Sequence, residues 1–155
     1  MSKYGGVAHS RLKVINLEAD TATITQLNVT DSVLSMRKRF TIAEVNAGAT
    51  LVAAVAGKSV RMVNCKAIAV GGAAGAVTTV DVLGTVSTSR KLVAFAQASL
   101  TQSTVLTAGG TGAAVLADGA SYTANDAGTA VTVGKTGSNV TTATHIDVIF
   151  DYVLE

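Results

Sequence analysis

The chain has 155 residues, enough for one ordinary domain and an extension, and it is short for two domains. Charged residues make up 14% of it, against roughly 25% in an average soluble domain, and the net charge is +2. So small a charge does not favour nucleic acid as a partner. A weakly charged surface instead fits a protein whose faces are covered by neighbours, the alternative being a compositional bias towards Thr, Ser and Ala.

The sequence excludes several other classes of protein. Cys65 is the single cysteine, so the chain forms no internal disulfide, and its apolar surroundings predict a small core residue. The first residues contain no continuous apolar stretch, which predicts no signal peptide. No run of about 18 apolar residues occurs, which predicts no membrane-spanning helix. We expect the protein to be made in the cytoplasm and to leave it only as part of a particle.

The basic residues are concentrated at the beginning of the chain. Residues 1–39 contain six Lys or Arg and three Asp or Glu, whereas residues 40–155 contain six Lys or Arg and seven Asp or Glu. This part of the chain contains short apolar runs, such as 22–27, separated by Thr, Asn and Asp. Two such strands on their own are only marginally stable. We predict an extended N-terminal arm over residues 1–38 that assembles or docks on a partner, with a disordered tail as the alternative. The candidate docking residues are Arg11, Lys13, Arg37, Lys38 and Arg39.

Residues 39–155 are predicted to form an all-β body. The chain contains no proline, so its turns rely on Gly, Asn, Asp and Ser. Alternating patterns predict strands at 40–45, 50–55, 60–70, 77–86, 91–100, 103–106, 113–116, 130–133 and 144–154. A short helix within 91–100 is the alternative there. Glycine-rich stretches at 71–75 and 134–137 predict turns, and a change of parity after Met62 predicts a β-bulge.

About eight strands with turns about every 8–12 residues predict a β-sandwich, either a jelly roll or a Greek-key sandwich. The last strand carries the clearest pattern. Ile146, Val148 and Phe150 are predicted to face the core, and His145 and Asp147 the opposite side. Because they are two residues apart, His145 and Asp147 are candidates for a hydrogen-bonded surface pair.

The residues that carry chemistry do not form a recognisable catalytic set. His9 and His145 are the only histidines, too few for a cupin-like metal site in a jelly roll. Gly134-Lys135-Thr136 ends like a phosphate loop, but Thr129 occupies the position of its first glycine. The spacing of the aspartates does not match a calcium loop. We therefore predict no enzymatic activity, no cofactor and no metal.

Four stretches of the body resemble small proteins that tailed bacteriophages encode near their capsid genes. They are residues 39–48 (RFTIAEVNAG), 69–75 (AVGGAAG), 116–120 (LADGA) and 134–137 (GKTG) running on to 143–148 (ATHIDV). The TATIT run at 21–25 resembles the intertwined β-segments of trimeric phage fibres.

The resemblance implies a head decoration, or cement, protein. Such a structural virion protein sits as a homotrimer on the capsid exterior, bridges subunits of the major capsid protein and stiffens the shell. No catalytic residues carry over. The alternative is a tail-fibre or receptor-binding β module, which the arm suggests and the scarcity of aromatic residues for sugar stacking weighs against.

Overall fold

The structure, a computed structural model, describes residues 32–108, 115–116 and 124–155, with only the backbone for 115–116. These residues form strands and two short helical segments. The strands are β1 (Leu34–Thr41), β2 (Ala49–Val52), β3 (Val60–Val70), β4 (Gly75–Val86), β5 (Thr88–Ala96), β6 (Leu106–Thr107), β7 (Val115–Leu116), β8 (Val131–Val140) and β9 (His145–Leu154). The helical segments are α1 (Ile42–Ala47) and a 3-10 turn at Gln97–Ser99.

The strands make two antiparallel sheets, in the orders β1-β9-β3-β6 and β2-β8-β4-β5-β7. Four of the pairings are nested in the chain: β1 with β9, β2 with β8, β3 with β6 and β4 with β5. Nested pairs correspond to one long antiparallel ribbon of two strands that is folded over on itself. Successive strand pairs of this ribbon lie alternately in the first and the second sheet. The additional pairings of β3 with β9, β4 with β8 and β5 with β7 complete the sheets. The predicted all-β sandwich is confirmed.

The core lies between the two sheets and is filled from both. Ile146, Val148 and Phe150 of β9 are fully buried, as the alternation predicts, and Phe40 and Phe95 join them. Burying one such side chain contributes about 1.5–3 kcal/mol. Cys65 is a core residue, and burial raises the pKa of its thiol to about 12.

The predicted β-bulge lies in β3. The register of β3 against β9 shifts between Met62 and Asn64, so Val63 is the extra residue. Met62 and Cys65 on either side are buried, whereas Val63 is 47% exposed. The predicted bulge is therefore confirmed, and its extra residue Val63 lies outside the core.

The strand predicted at 40–45 ends early, because Thr41 and Glu44 form a capping box. The Glu44 N–H donates to Thr41 Oγ1 at 3.3 Å, and Glu44 Oε2 accepts from the Thr41 N–H at 2.7 Å. These bonds satisfy backbone donors at the start of a helix. The bond from the Thr41 N–H also lowers the pKa of Glu44. The apolar residues from Phe40 to Val45 therefore follow in part the spacing of a helical turn and not that of a strand. Val45 is buried in this turn.

Replacing Thr41 with alanine removes this cap, and we expect the free energy of unfolding to fall by about 0.5–2 kcal/mol. Thr41→Ser keeps a hydroxyl and should retain most of the stability. Urea denaturation of the two variants measures the difference. Equal losses in both would mean that the cap does not stabilise the turn from β1 into α1.

Several other predicted boundaries differ from the structure, and in two places a segment has a different kind of structure from the one predicted. Residues 134–137 are not a turn, because β8 runs through them from Val131 to Val140. The register against β4 shifts beside Gly137, whose φ is +83°, so the glycine serves a bulge inside the strand. The structure also places residues 34–38, which the sequence assigned to the arm, in β1.

Candidate docking surface

One face of the first sheet points away from the core and carries most of the candidate docking residues that the structure describes. In β1 this is the parity of Arg37 and Arg39, and in β9 that of Asp147 and Ile149. The register places Arg39 opposite Asp147 and Arg37 opposite Ile149. We define the docking face by these residues and their neighbours: Arg37, Arg39, Lys66, Ile68, Val105, Asp147 and Ile149.

Asp147 is the electrostatic centre of the docking face. Arg39 donates from Nε to Oδ1 at 2.7 Å and from Nη2 to Oδ2 at 2.9 Å, and Arg37 Nη2 lies 2.5 Å from Oδ2. The Asp147 side chain is 3% exposed, while those of Arg37 and Arg39 are 65% and 54% exposed. Two guanidinium groups thus share one carboxylate, which leaves the cluster with one net positive charge.

This geometry fixes the protonation of the cluster. The hydrogen bonds from Arg39, followed by those from Arg37, lower the pKa of Asp147 to about 2, although burial acts in the opposite direction. The same contact with Asp147 raises the pKa of Arg39. The two-pronged contact of Arg39 holds its guanidinium group in a defined orientation, and Arg37 adds a single bond to the same carboxylate. Arg37 and Arg39 are therefore preorganised, with much of their surface still open to a partner.

We expect Asp147→Asn to lower stability near neutral pH and to flatten its dependence on acid. A depressed carboxyl pKa contributes stability that is present above about pH 4 and is lost as the pH falls towards 2. The difference in unfolding free energy between wild type and variant should therefore narrow over that range. Urea denaturation at a series of pH values measures it, and a difference that stays constant with pH would contradict the ion pairs.

Beside the cluster, the docking face contains a shallow groove. One part, of about 290 Å³, is lined by Ile68 and Ile149 together with Arg37 and Lys66. Val105, which is 51% exposed, also lines it. A second depression is lined by Arg39, Gly71 and Gln102 among others. A groove lined by apolar and basic side chains is suited to a protein segment that carries apolar and acidic side chains.

The other candidate docking residues have different positions. Lys38 has the opposite parity, and its Nζ donates to the Thr50 carbonyl oxygen at 2.6 Å and lies 4.9 Å from the Phe40 ring centroid. It links the edges of the two sheets and lies outside the docking face, and its role in docking stays a prediction. Arg11 and Lys13 lie outside the described residues.

The predicted pair of His145 and Asp147 does not form. His145 Nδ1 lies 3.1 Å from Thr144 Oγ1, and Asp147 is bound by the two arginines of the adjacent strand. The sequence reasoning missed these partners because strand pairing, not sequence distance, brings them together. The signal that could have found them is the spacing of Arg37 and Arg39, which are two residues apart and so share a face.

A second buried carboxylate, that of Asp81 in β4, is held by neighbouring side chains of the second sheet. Thr136 Oγ1 donates to its Oδ2 at 2.7 Å, and Lys91 Nζ lies 3.4 Å from the same atom. Within the described ranges, no group of three or more His, Cys, Asp or Glu side chains could hold a metal ion. In the same part of the chain, no helix is long and apolar enough to cross a membrane.

No protein-family model, no curated protein and no solved structure matches the chain. The resemblance to phage decoration proteins therefore remains a prediction from the sequence.

Proposed function

We propose that this chain is a structural virion protein, a decoration protein that binds the outside of a phage capsid and stabilises it. The observation that carries the proposal is the docking face, where Asp147 fixes Arg37 and Arg39, and Arg37 lines an open apolar groove. Arginine and apolar side chains are enriched at protein–protein contacts, and preorganised side chains lose less entropy on binding. These properties support a contact surface for another protein.

The architecture supports the same proposal. We propose that the sandwich is a jelly roll, an eight-stranded fold that occurs in viral capsid domains, and the four nested pairs, to which β7 does not belong, support this assignment. A fold alone does not define a function. The architecture is therefore additional support, and the proposal rests on the docking face. The partner that the proposal names is the major capsid protein, and the site is the capsid exterior.

We further propose that the protein binds as a homotrimer. Three linked copies would present three docking faces and three N-terminal segments, including Arg11 and Lys13, to a repeating shell. Linking weak sites raises the overall affinity without stronger individual contacts. Light scattering of the purified protein tests the oligomer, and a monomer at micromolar concentration would contradict this part of the proposal.

The experiment for capsid binding mixes purified protein with phage heads that lack it and measures the bound copies by sedimentation. We expect saturable binding at many copies per head and greater resistance of the heads to heat. Ile149→Asp places a charge in the groove and should abolish binding. Val55→Asp is the matched control, because Val55 is also exposed, at 39%, but lies outside the docking face.

Two results would contradict the proposal. The first is the absence of binding to heads by a protein that circular dichroism shows to be folded. The second is binding confined to tails or to host cells, which would favour the tail-fibre or receptor-binding alternative.

A further inference from the structure

The docking face has an ordered arrangement of charge across the first sheet. In the register, Ile149 of β9 lies between Arg37 of β1 and Lys66 of β3, so a basic residue stands on each side of an apolar one. Neighbouring strands are about 4.8 Å apart, which separates the Cα atoms of the two basic residues by about 10 Å. All three side chains line the groove. The groove therefore offers an apolar contact between two cationic groups.

Both cationic groups have hydrogen-bonding capacity left for a partner. Arg37 reaches Asp147 through Nη2, and its side chain is 65% exposed, so other N–H donors of its guanidinium remain open. The Lys66 ammonium makes no hydrogen bond or ion pair with the residues that the structure describes. These donors point to a partner that supplies acceptors on both sides of Ile149.

The charges of the docking face do not cancel. Arg37, Arg39 and Lys66 carry three positive charges and Asp147 carries one negative charge, which leaves an excess of two positive charges. Two carboxylates from a partner would balance this excess. Together with the apolar groove, the charge balance fits a segment that brings two acidic side chains and one apolar side chain.

The same arrangement argues against a second docking face as the occupant. Two faces could stack about a two-fold axis at Ile149. An axis parallel to the strands would place Arg37 over Lys66, and an axis across the strands would place each basic residue over its own equivalent. Both arrangements bring like charges together, which is unfavourable at an interface. The occupant is therefore a surface of different, acidic character.

We propose that the docking face binds an extended segment of its partner protein with the pattern acid-x-apolar-x-acid. Alternate side chains of an extended segment point to the same side, so all three contact the face together. The apolar side chain packs on Ile149, and the two carboxylates bind Arg37 and Lys66. The acids are about 13 Å apart along the segment, a span that the long basic side chains can meet. This inference rests on the proposed function, in which the partner is the major capsid protein.

The test titrates isotope-labelled full-length protein with synthetic peptides and follows the backbone amide signals of β1, β3 and β9 by NMR. The probe peptide contains Asp-Thr-Ile-Thr-Asp. One control peptide has Asn in place of both Asp, and another, Asp-Asp-Ile-Thr-Thr, has the same composition in a different order. We expect the probe to bind about five-fold more tightly than the Asn peptide and about two-fold more tightly than the reordered one. Added salt should reduce the first difference.

Lys66→Gln removes one of the two cationic groups without touching the Asp147 cluster. It should weaken binding of the probe about two- to five-fold and leave binding of the Asn peptide unchanged. Lys58→Gln is the matched control, because Lys58 is an exposed lysine outside the docking face. This control should bind the probe like the wild type, and equal losses for the two variants would contradict the assignment to the groove.

Equal affinities for the three peptides, or no change in the signals of β1, β3 and β9, would overturn the proposed segment. Sedimentation with phage heads separates this result from the proposed function. If the wild type binds heads and does not distinguish the peptides, only the acidic segment is wrong. If it selects the probe peptide and does not bind heads, the segment stands and the proposed capsid partner is wrong.

Discussion

Replacing Phe150 with alanine is expected to lower the free energy of unfolding by about 3–5 kcal/mol, the range for removing a buried aromatic ring. Phe150 is fully buried in β9, between Met36 of β1 and Cys65 of β3 in the register. Its ring centroid lies 5.6 Å from that of Tyr152. The substitution therefore opens a cavity where three strands meet. Since a domain of this kind is stable by about 5–15 kcal/mol, the substitution should remove a large part of its stability.

The matched control is Phe150→Leu, which keeps much of the volume and should cost substantially less. Urea denaturation followed by circular dichroism measures both variants. If Phe150→Ala unfolded at nearly the same urea concentration as the wild type, β9 could not be the central strand of the core.

Gly75→Ala is expected to cost about 2–5 kcal/mol, because two separate penalties add. The φ of Gly75 is +86°, a left-handed conformation that costs other residues about 1–2 kcal/mol. A Cβ at this position would also lie 2.5 Å from Thr141 Oγ1 and 2.9 Å from the Thr142 nitrogen. Forcing an extra carbon into such a contact costs about 1–3 kcal/mol.

Gly57→Ala separates the two penalties. Gly57 also has a positive φ, +69°, but a Cβ there would meet no atom within 4 Å. The control should therefore show only the conformational cost. The difference in unfolding free energy between the variants then measures the close approach of β4 to the segment after β8. Equal costs would mean that the backbone at 141–142 moves freely.

The elements that the sequence predicted best are the long strands whose two faces differ clearly. The bounds of β3 agree with the prediction, and β9 begins at His145 instead of Thr144, because apolar residues recur at every second position along much of both sequences. The prediction failed where a few residues fit two periods. From Phe40 to Val45 the apolar residues fit a strand as well as a helical turn, and the Thr41–Glu44 capping box decides between them.

The docking face was predictable only in part. The concentration of basic residues at 37–39 is visible in the sequence, and the alternation of a strand separates Lys38 from its two neighbours. The pairing of β1 with β9 is what brings Asp147 to the arginines. That pairing depends on how distant strands come together, and no local pattern encodes it.

The nested pairing of the strands also has a consequence for how the chain folds. Arg37 and Asp147 are in contact although 110 positions separate them, and β9 lies between β1 and β3. Topologies dominated by such distant contacts fold slowly, in milliseconds to seconds. During synthesis, β1 and β3 must wait for β9 with their hydrogen-bonding edges unoccupied. The basic residues at the centre of β1 would then keep unfinished chains from joining edge to edge until the final strand emerges from the ribosome.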